Sequence, residues 1–213
     1  MVLPFDSKTE LLWQDFITTH NLSVRQQEQF LLYAQSLQET NDKFNLTALT
    51  SYADIITHHF ADSISLLKFY DLMQSVGMAD VGTGGGFPGL ALKIMVPSVP
   101  LYLIEVNKKK CAYLVELANQ LGLDGVHVID LDWRTFLRNT DFSIDFFMAR
   151  ASLHPDELFR LFKPSVPYKD ATLVYWASAH WVPTTEEQQY VVAEYTYTIM
   201  QKMRKYILCK GAQ

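Results

Sequence analysis

The sequence has 213 residues, of which 49% are hydrophobic and 19% charged, and its formal net charge is −5 at pH 7. This composition is typical of one globular domain with a modest extension. The net negative charge argues mildly against broad, sequence-independent binding of nucleic acid. The apolar runs fall short of the roughly 18 residues of a membrane span, and the first residues lack the basic and apolar regions of a secretory signal. We therefore expect a cytoplasmic protein without a membrane partner.

The two cysteines, Cys111 and Cys209, stand far apart and outside any metal-ligand spacing. Isolated cysteines of this kind are typical of a reducing compartment, so we predict free thiols and no metal site. The sequence contains no internal repeat and no low-complexity tract that would point to a repeat protein.

Apolar residues recur at helical spacing from residue 7 to about residue 75. A first helix is marked by Leu11, Leu12, Phe16 and Ile17, and a third begins near Tyr52 or Asp54. Between them, a second helix begins after Ser23, with Gln26 as its capping-box partner. Residues 1–75 are therefore predicted to form a helical cap at the N-terminal end.

The rest of the chain, residues 76–213, alternates short apolar runs with helical patterns. Two helices are predicted over 89–95 and 109–121. Five strands are predicted at Met78–Val81, Leu101–Ile104, Val126–Ile129, Ile144–Met148 and Leu173–Trp176. Strands that alternate with helices are typical of βαβ units, which predicts an α/β domain with a parallel sheet.

The spacing of apolar residues changes from a helical pattern to alternation near the end of the chain. Residues 194–199 and 205–209 alternate between polar and apolar side chains, and the polar, basic run 201–204 separates them. This pattern predicts an antiparallel hairpin at the sheet edge. A sheet of this kind is more typical of Rossmann-like class I methyltransferases than of dehydrogenases, and we expect it to form one compact unit with its helical extension.

The strongest local motif is the glycine loop from Asp80 to Gly89, between the first strand and the next helix. Asp80, Gly82, Gly84 and Gly86 form an acid followed by glycines at alternate positions, with Thr83 among them. Such a loop lets a nucleoside cofactor approach the backbone closely. The GxGxxG spacing of dinucleotide-binding loops is present only when it is read from Gly84, and the carboxylate of Asp80 would repel a pyrophosphate. The negative charge of Asp80 suits the amino group of a methionine-like ligand. It therefore favours S-adenosylmethionine over a nicotinamide cofactor or a turn that binds no ligand.

A second acid supports the same ligand. Glu105 directly follows the second predicted strand. An acid at this distance beyond the glycine loop is placed to bind the ribose hydroxyls of an adenosine. An exposed acid at the start of a loop is the alternative, and the lysines at 108–110 are read as a solvated helix start.

Three motifs resemble one known family. They are Asn45-Leu46-Thr47 with His59, Asp62 and Ser63; the run DVGTGGGFPGLAL over 80–92; and Ala149-Arg150-Ala151 after the fourth strand. With these motifs the chain resembles the glucose-inhibited division protein B family, bacterial methyltransferases that modify guanine N7 in small-subunit ribosomal RNA.

The resemblance implies S-adenosylmethionine as cofactor and small-subunit ribosomal RNA as partner. We also expect a monomer. It implies that Gly82, Gly84, Phe87, Glu105 and Arg150 line the cofactor and target sites, with Arg150 as the catalytic residue. We predict Asn45, His59 and Asp62 as substrate-binding residues. A buried pair of His59 with Asp62, a bracing role for Asn45, and an ion pair of Arg150 with Asp145 are the alternatives.

The chain departs from the family pattern in two places. Tyr175-Trp176-Ala177-Ser178 stands where the family has Leu-Lys-Gly, so a lysine expected by the active site is missing. The run 132–135 stands where the family has Arg-x-Glu against the adenine, so we assign that contact to Asp132 and Trp133, with Leu131 beside them. A divergent paralogue with another substrate and a non-catalytic binding module therefore remain open.

Methyl transfer from a sulfonium is an in-line displacement, which an enzyme accelerates mainly by alignment and exclusion of water. Guanine N7 carries a free lone pair, so no catalytic base is required. We predict that Arg150 steadies the guanine edge, because its geometry matches the O6 and N7 acceptors. The aromatic residues Trp133, Tyr175, Trp176 and Trp181 are expected mainly in the core rather than stacked on bases.

Overall fold

The computed structural model describes residues 5–41 and 46–211. A seven-stranded sheet with the order β3-β2-β1-β4-β5-β7-β6 forms its centre. The first five strands are parallel, and β7 is antiparallel to both β5 and β6. The strands are β1 (Met78–Val81), β2 (Leu101–Ile104), β3 (Val126–Ile129), β4 (Phe146–Arg150), β5 (Thr172–Ser178), β6 (Val191–Ile199) and β7 (Lys202–Cys209).

Nine α-helical segments accompany the described part of the sheet. They are α1 (Ser7–His20), α2 (Val24–Asn41), α3 (Tyr52–Asp54), α4 (Asp62–Ile64), α5 (Gly89–Met95), α6 (Lys108–Gln120), α7 (Trp133–Asn139), α8 (Pro155–Leu158) and α9 (Thr185–Gln188). A π-helical stretch, Ile55–Ala61, joins α3 to α4, and 3-10 turns follow at Ser65–Lys68, Leu72–Gln74 and Phe159–Phe162.

Two apolar layers pack against the sheet because side chains alternate along each strand. Phe146 and Met148 of β4 belong to the layer that holds α2, α5 and α6, whereas Phe147 and Ala149 belong to the layer that holds α7 and α8. Residues of the helical cap join the first layer, so the cap and the sheet share one hydrophobic core. Every second residue of β4, up to Arg150, therefore faces the cap.

The predicted fold class is confirmed, including the terminal hairpin and the reciprocal Ser23–Gln26 cap. The hairpin turn was predicted at 201–204, which is wrong, because the chain reverses at Met200 and Gln201 with φ of 45° and 66°. Residues 202–204 are consequently part of β7 and point their side chains alternately to the two sheet faces. The fourth strand begins at Phe146 rather than Ile144.

In the described residues, no helix has the length and apolar character required to cross a lipid bilayer.

Candidate cofactor and target site

The glycine loop follows β1 at the carboxyl edge of the sheet and has the backbone conformation that its sequence predicts. Gly82, Gly84 and Gly86 have φ of 66°, 58° and 100°, which side-chain-bearing residues rarely adopt. A Cβ on Gly86 would lie 2.6 Å from the Tyr33 hydroxyl, whereas a Cβ on Gly84 would meet no atom within 4 Å. The loop is thus closely packed beneath Gly86 and opens into free space at Gly84.

Asp80 braces this loop from below. Its Oδ2 accepts hydrogen bonds from the Thr83 hydroxyl at 2.7 Å and from the Gly89 amide at 2.8 Å. The carboxyl group is fully buried, and this burial raises its pKa to about 6. The described contacts of Oδ2 brace the loop, and the direct contact between Asp80 and a ligand amino group stays a prediction. Its other oxygen, Oδ1, has no described hydrogen-bond partner.

Glu105 and the glycine loop are in direct contact. The Glu105 carboxylate accepts a hydrogen bond from the Gly84 amide at 3.0 Å through Oε2 and from the Asn107 amide at 2.9 Å through Oε1. Its position follows from β2, which ends at Ile104 beside β1. A carboxylate therefore stands at the rim of the open part of the loop.

The two residues assigned to the adenine have evident structural roles. Asp132 is exposed and caps α7, accepting hydrogen bonds from the backbone amide and the hydroxyl of Thr135. Trp133 is buried, packs on Phe136 and Phe147, and donates its indole N–H to the Glu157 carbonyl at 2.7 Å. Neither side chain is directed to a ligand by these contacts, so adenine binding here remains a prediction.

Phe87 links the glycine loop to the helical cap. Its ring stacks on Tyr33 of α2 with centroids 4.8 Å apart, and on His59 of the π-helical stretch with centroids 4.4 Å apart. The guanidinium of Arg150 lies 5.4 Å from the same ring centroid. The glycine loop, the helical cap and β4 therefore meet at the side chain of Phe87.

Arg150 makes its ion pair with Asp62, not with Asp145. Arg150 Nη1 donates to Asp62 Oδ2 at 3.0 Å, whereas Asp145 Oδ1 accepts from the Val76 amide at 3.1 Å. Asp62 is fully buried and its Oδ2 accepts from Arg150, which gives it a positioning role, and direct substrate binding by Asp62 stays a prediction. The sequence could not show this, since the two residues lie 88 positions apart.

His59 also contacts Arg150 rather than Asp62. Arg150 Nη2 donates to His59 Nδ1 at 3.1 Å, which leaves Nε2 to donate to the Thr47 hydroxyl at 2.9 Å. Burial lowers the pKa of His59 to about 3, and the positive charge of Arg150 acts in the same direction. His59 is therefore a neutral imidazole. The predicted residue Asn45 lies outside the described residues.

A cavity of about 770 Å³ opens beside Arg150, at the carboxyl ends of β4 and β5. Trp176 and Ser178 of the altered Leu-Lys-Gly segment line it, as do Lys202 and Arg204 of β7. The described lining residues include three side chains with a permanent positive charge and none that is acidic. Lys202 and Arg204 are not among the predicted site residues, because the polar run 201–204 predicts the hairpin turn instead.

The fold and site together define the class I Rossmann-like methyltransferases. Two solved structures share this fold. M. capricolum TrmK in complex with S-adenosyl-homocysteine has a TM-score of 0.54 at 14% identity, covering 71% of this chain and 68% of that one. A SAM-dependent methyltransferase from Aquifex aeolicus has a TM-score of 0.52 at 19% identity, covering 81% and 98%.

Sequence comparison narrows the class to one family. The family model for rRNA small subunit methyltransferase G, GidB, matches residues 26–208, and the chain belongs to this family. Ribosomal RNA small subunit methyltransferase G of Oceanobacillus iheyensis is 36% identical over 148 residues, which cover 68% of this chain and 62% of that protein. The Lachnoclostridium phytofermentans protein of the same name is 33% identical, covering 81% and 72%. The match spans only 43% of the Dehalococcoides mccartyi relative.

Proposed function

We propose that this protein transfers the methyl group of S-adenosylmethionine to N7 of a guanine in small-subunit ribosomal RNA. The observation that carries this proposal is the contact between Arg150 and Phe87, 5.4 Å from guanidinium carbon to ring centroid. Phe87 belongs to the glycine loop, and Arg150 lines the neighbouring cavity. A methyl donor in the loop and a base in the cavity would therefore be neighbours, as an in-line transfer requires.

The residues present fit an adenosine-containing cofactor. The backbone at Gly84 borders open space, and the Glu105 carboxylate stands beside it with two oxygens able to accept from ribose hydroxyls. Asp80 Oδ1 and Ser152 Oγ are buried near the loop without a described partner. When bound, S-adenosylmethionine supplies an electrophilic methyl group on its sulfonium.

Arg150 is the residue that we assign to the target base. Its Nη1 is occupied by Asp62, the His58 carbonyl and Ser63, and one Nη2 hydrogen by His59. Its Nε donates to no residue in the described part of the chain. This N–H and the second Nη2 hydrogen remain for a base edge, where donation to guanine O6 would hold the ring while N7 keeps its lone pair for the methyl group.

The charge of the cavity supports a polyanionic substrate. The whole chain has a net charge of −5, yet Arg150, Lys202 and Arg204 line the cavity without an acidic side chain among its described lining residues. Cations in such a position favour phosphate groups of a nucleic-acid backbone. Lys202 also supplies a cation near the end of β5, where the chain lacks the lysine of the Leu-Lys-Gly motif. A ribosomal substrate would make the cytoplasm the place of action.

The test uses purified protein with S-adenosylmethionine labelled in the methyl group and three parallel samples. These are small ribosomal subunits that lack the modification, free small-subunit RNA, and no RNA. Glu105→Gln serves as the matched variant, since it keeps the side-chain size but weakens ribose binding. We expect label at a guanine N7 with the wild-type protein and little with Glu105→Gln.

Cofactor binding without label in any sample would contradict the proposed reaction. That result would favour a binding module, which the change at Trp176 and Ser178 in β5 motivates. Failure of both cofactor binding and labelling would contradict the cofactor assignment itself.

A further inference from the structure

Three potential metal ligands converge outside the site described above. His154 Nδ1 and one carboxylate oxygen each of Asp156 and Glu187 all lie within 4.8 Å of one another. The imidazole and the Asp156 carboxylate are 3.2 Å apart. His154 and Asp156 belong to the segment that follows β4, whereas Glu187 lies in α9, which follows β5. The cluster therefore joins two chain segments that leave neighbouring strands at the same sheet edge.

Glu187 is a buried carboxylate without a cationic partner. The residue is 4% exposed, and its Oε2 accepts a hydrogen bond from the Thr184 amide at 2.7 Å. Its Oε1 has no hydrogen bond, and the carboxylate no ion pair, with any residue that the structure describes. A carboxylate that is largely shielded from water is stabilised by a positive charge close to it. A cation bound by the cluster would provide that charge.

The donor set selects a class of ion. One imidazole nitrogen and two carboxylate oxygens suit first-row divalent transition ions such as Zn²⁺ and Co²⁺, whereas Ca²⁺ and Mg²⁺ prefer oxygen ligands alone. With a neutral imidazole, the two carboxylates balance the charge of a divalent ion. The side chains of His154 and Asp156 are 72% and 71% exposed, so an ion can enter from solvent and both ligands can adjust to it.

We propose that His154, Asp156 and Glu187 bind one divalent transition-metal ion, which ties the segment after β4 to the segment after β5. Ala151 and His180, from these same two connections, line the cavity beside Arg150. Bound metal would thus stabilise the border of that cavity. The proposal concerns ion binding and is independent of the methyl-transfer reaction.

The full chain is first treated with a chelator and then titrated with Co²⁺, whose visible absorption reports coordination by nitrogen and oxygen ligands. His154→Ala and Asp156→Asn change exposed ligands and should leave the fold intact. His127→Ala removes an exposed histidine on β3 and is the matched control. We expect one saturable site per chain, an affinity at least about tenfold lower in the two ligand variants, and no change in the control.

Thermal unfolding with saturating Zn²⁺ provides a second readout. The Tm should rise for the wild-type protein and for His127→Ala, but not for His154→Ala, because the ion binds only the folded state. Absence of saturable Co²⁺ binding, or equal affinity of the wild-type protein and His154→Ala, would overturn the proposal.

Discussion

Arg150 and Asp62 form a buried ion pair that joins β4 to the helical cap. Nη1 and Oδ2 are 3.0 Å apart, and the two side chains are 11% and 0% exposed. Arg204 of β7 donates to the same oxygen at 3.3 Å, and the Tyr197 hydroxyl of β6 donates to the other at 2.8 Å. One carboxylate of the cap thus orients the arginine that we assign to the target base.

Removing this carboxylate should destabilise the protein strongly. Asp62→Ala leaves Arg150 buried without its counter-charge, and loss of one partner of a buried pair costs about 3–5 kcal/mol. Asp62→Asn should cost less, since an amide oxygen still accepts a hydrogen bond. Equilibrium unfolding in urea measures both effects. Asp130→Asn, at an exposed aspartate after β3, is the control, and equal stability of Asp62→Ala and this control would refute the prediction.

Two glycines of the same loop should respond differently to alanine. Gly84→Ala costs about 1–2 kcal/mol for its positive φ, but its methyl group enters the space that we assign to the cofactor. Gly86→Ala incurs the same kind of strain and also collides with Leu90 and the Tyr33 hydroxyl at 2.6 Å. We expect Gly84→Ala to remain folded with weakened S-adenosylmethionine binding, and Gly86→Ala to be the less stable variant.

Thermal unfolding and equilibrium cofactor binding, measured together, separate the two effects. Wild-type cofactor affinity in a folded Gly84→Ala protein would mean that the open side of the loop is not the binding surface.

Features that depend on local sequence were predictable. The glycine loop, Glu105 and the parallel strands follow from spacing and periodicity, because each lies within a short stretch of chain. The hairpin was predicted from its alternating strands, but its turn was misplaced. Met200 and Gln201 carry the positive φ without a glycine, so the usual turn signal was absent.

Contacts between distant residues were not predictable in the same way. The polar motif at Asp62 indicated a function, and burial against Arg150 gives it a positioning role instead. Lys202 and Arg204 lie on the same face of the sheet because both belong to β7, where every second side chain points to the same side. Likewise, His154 and Glu187 meet through the order of β4 and β5 in the sheet, which no ligand spacing in the sequence reveals.

The neutral state of His59 predicts a loss of stability in acid. Its pKa is lowered to about 3, so below its ordinary value of 6.5 the unfolded chain binds a proton that the folded chain does not. The contribution of the neutral imidazole to the free energy of unfolding is complete above pH 6.5 and decreases as the pH falls toward 3. Relative to His59→Gln, the wild-type protein should lose about 2 kcal/mol between pH 7 and pH 5.

Urea unfolding of both proteins at several pH values gives this difference. His20, whose pKa is lowered to about 4, and Asp80, whose pKa is raised to about 6, titrate in both proteins and cancel in the comparison. Parallel stability curves for the two proteins would contradict a depressed pKa at His59.

Replacing Arg150 by lysine should separate its role toward the base from its role in the ion pair. Arg150→Lys keeps a positive charge near Asp62 but loses the planar pair of donors. A hydrogen bond to a charged group contributes about 1.5–3 kcal/mol, so the kcat for methyl transfer should fall roughly 10- to 150-fold, with little change in S-adenosylmethionine affinity. Arg134→Lys, at an exposed arginine paired with Glu157, is the matched control. An unchanged kcat in a folded Arg150→Lys protein would contradict the assigned contact with the base, because the planar pair of donors would then not be needed for methyl transfer.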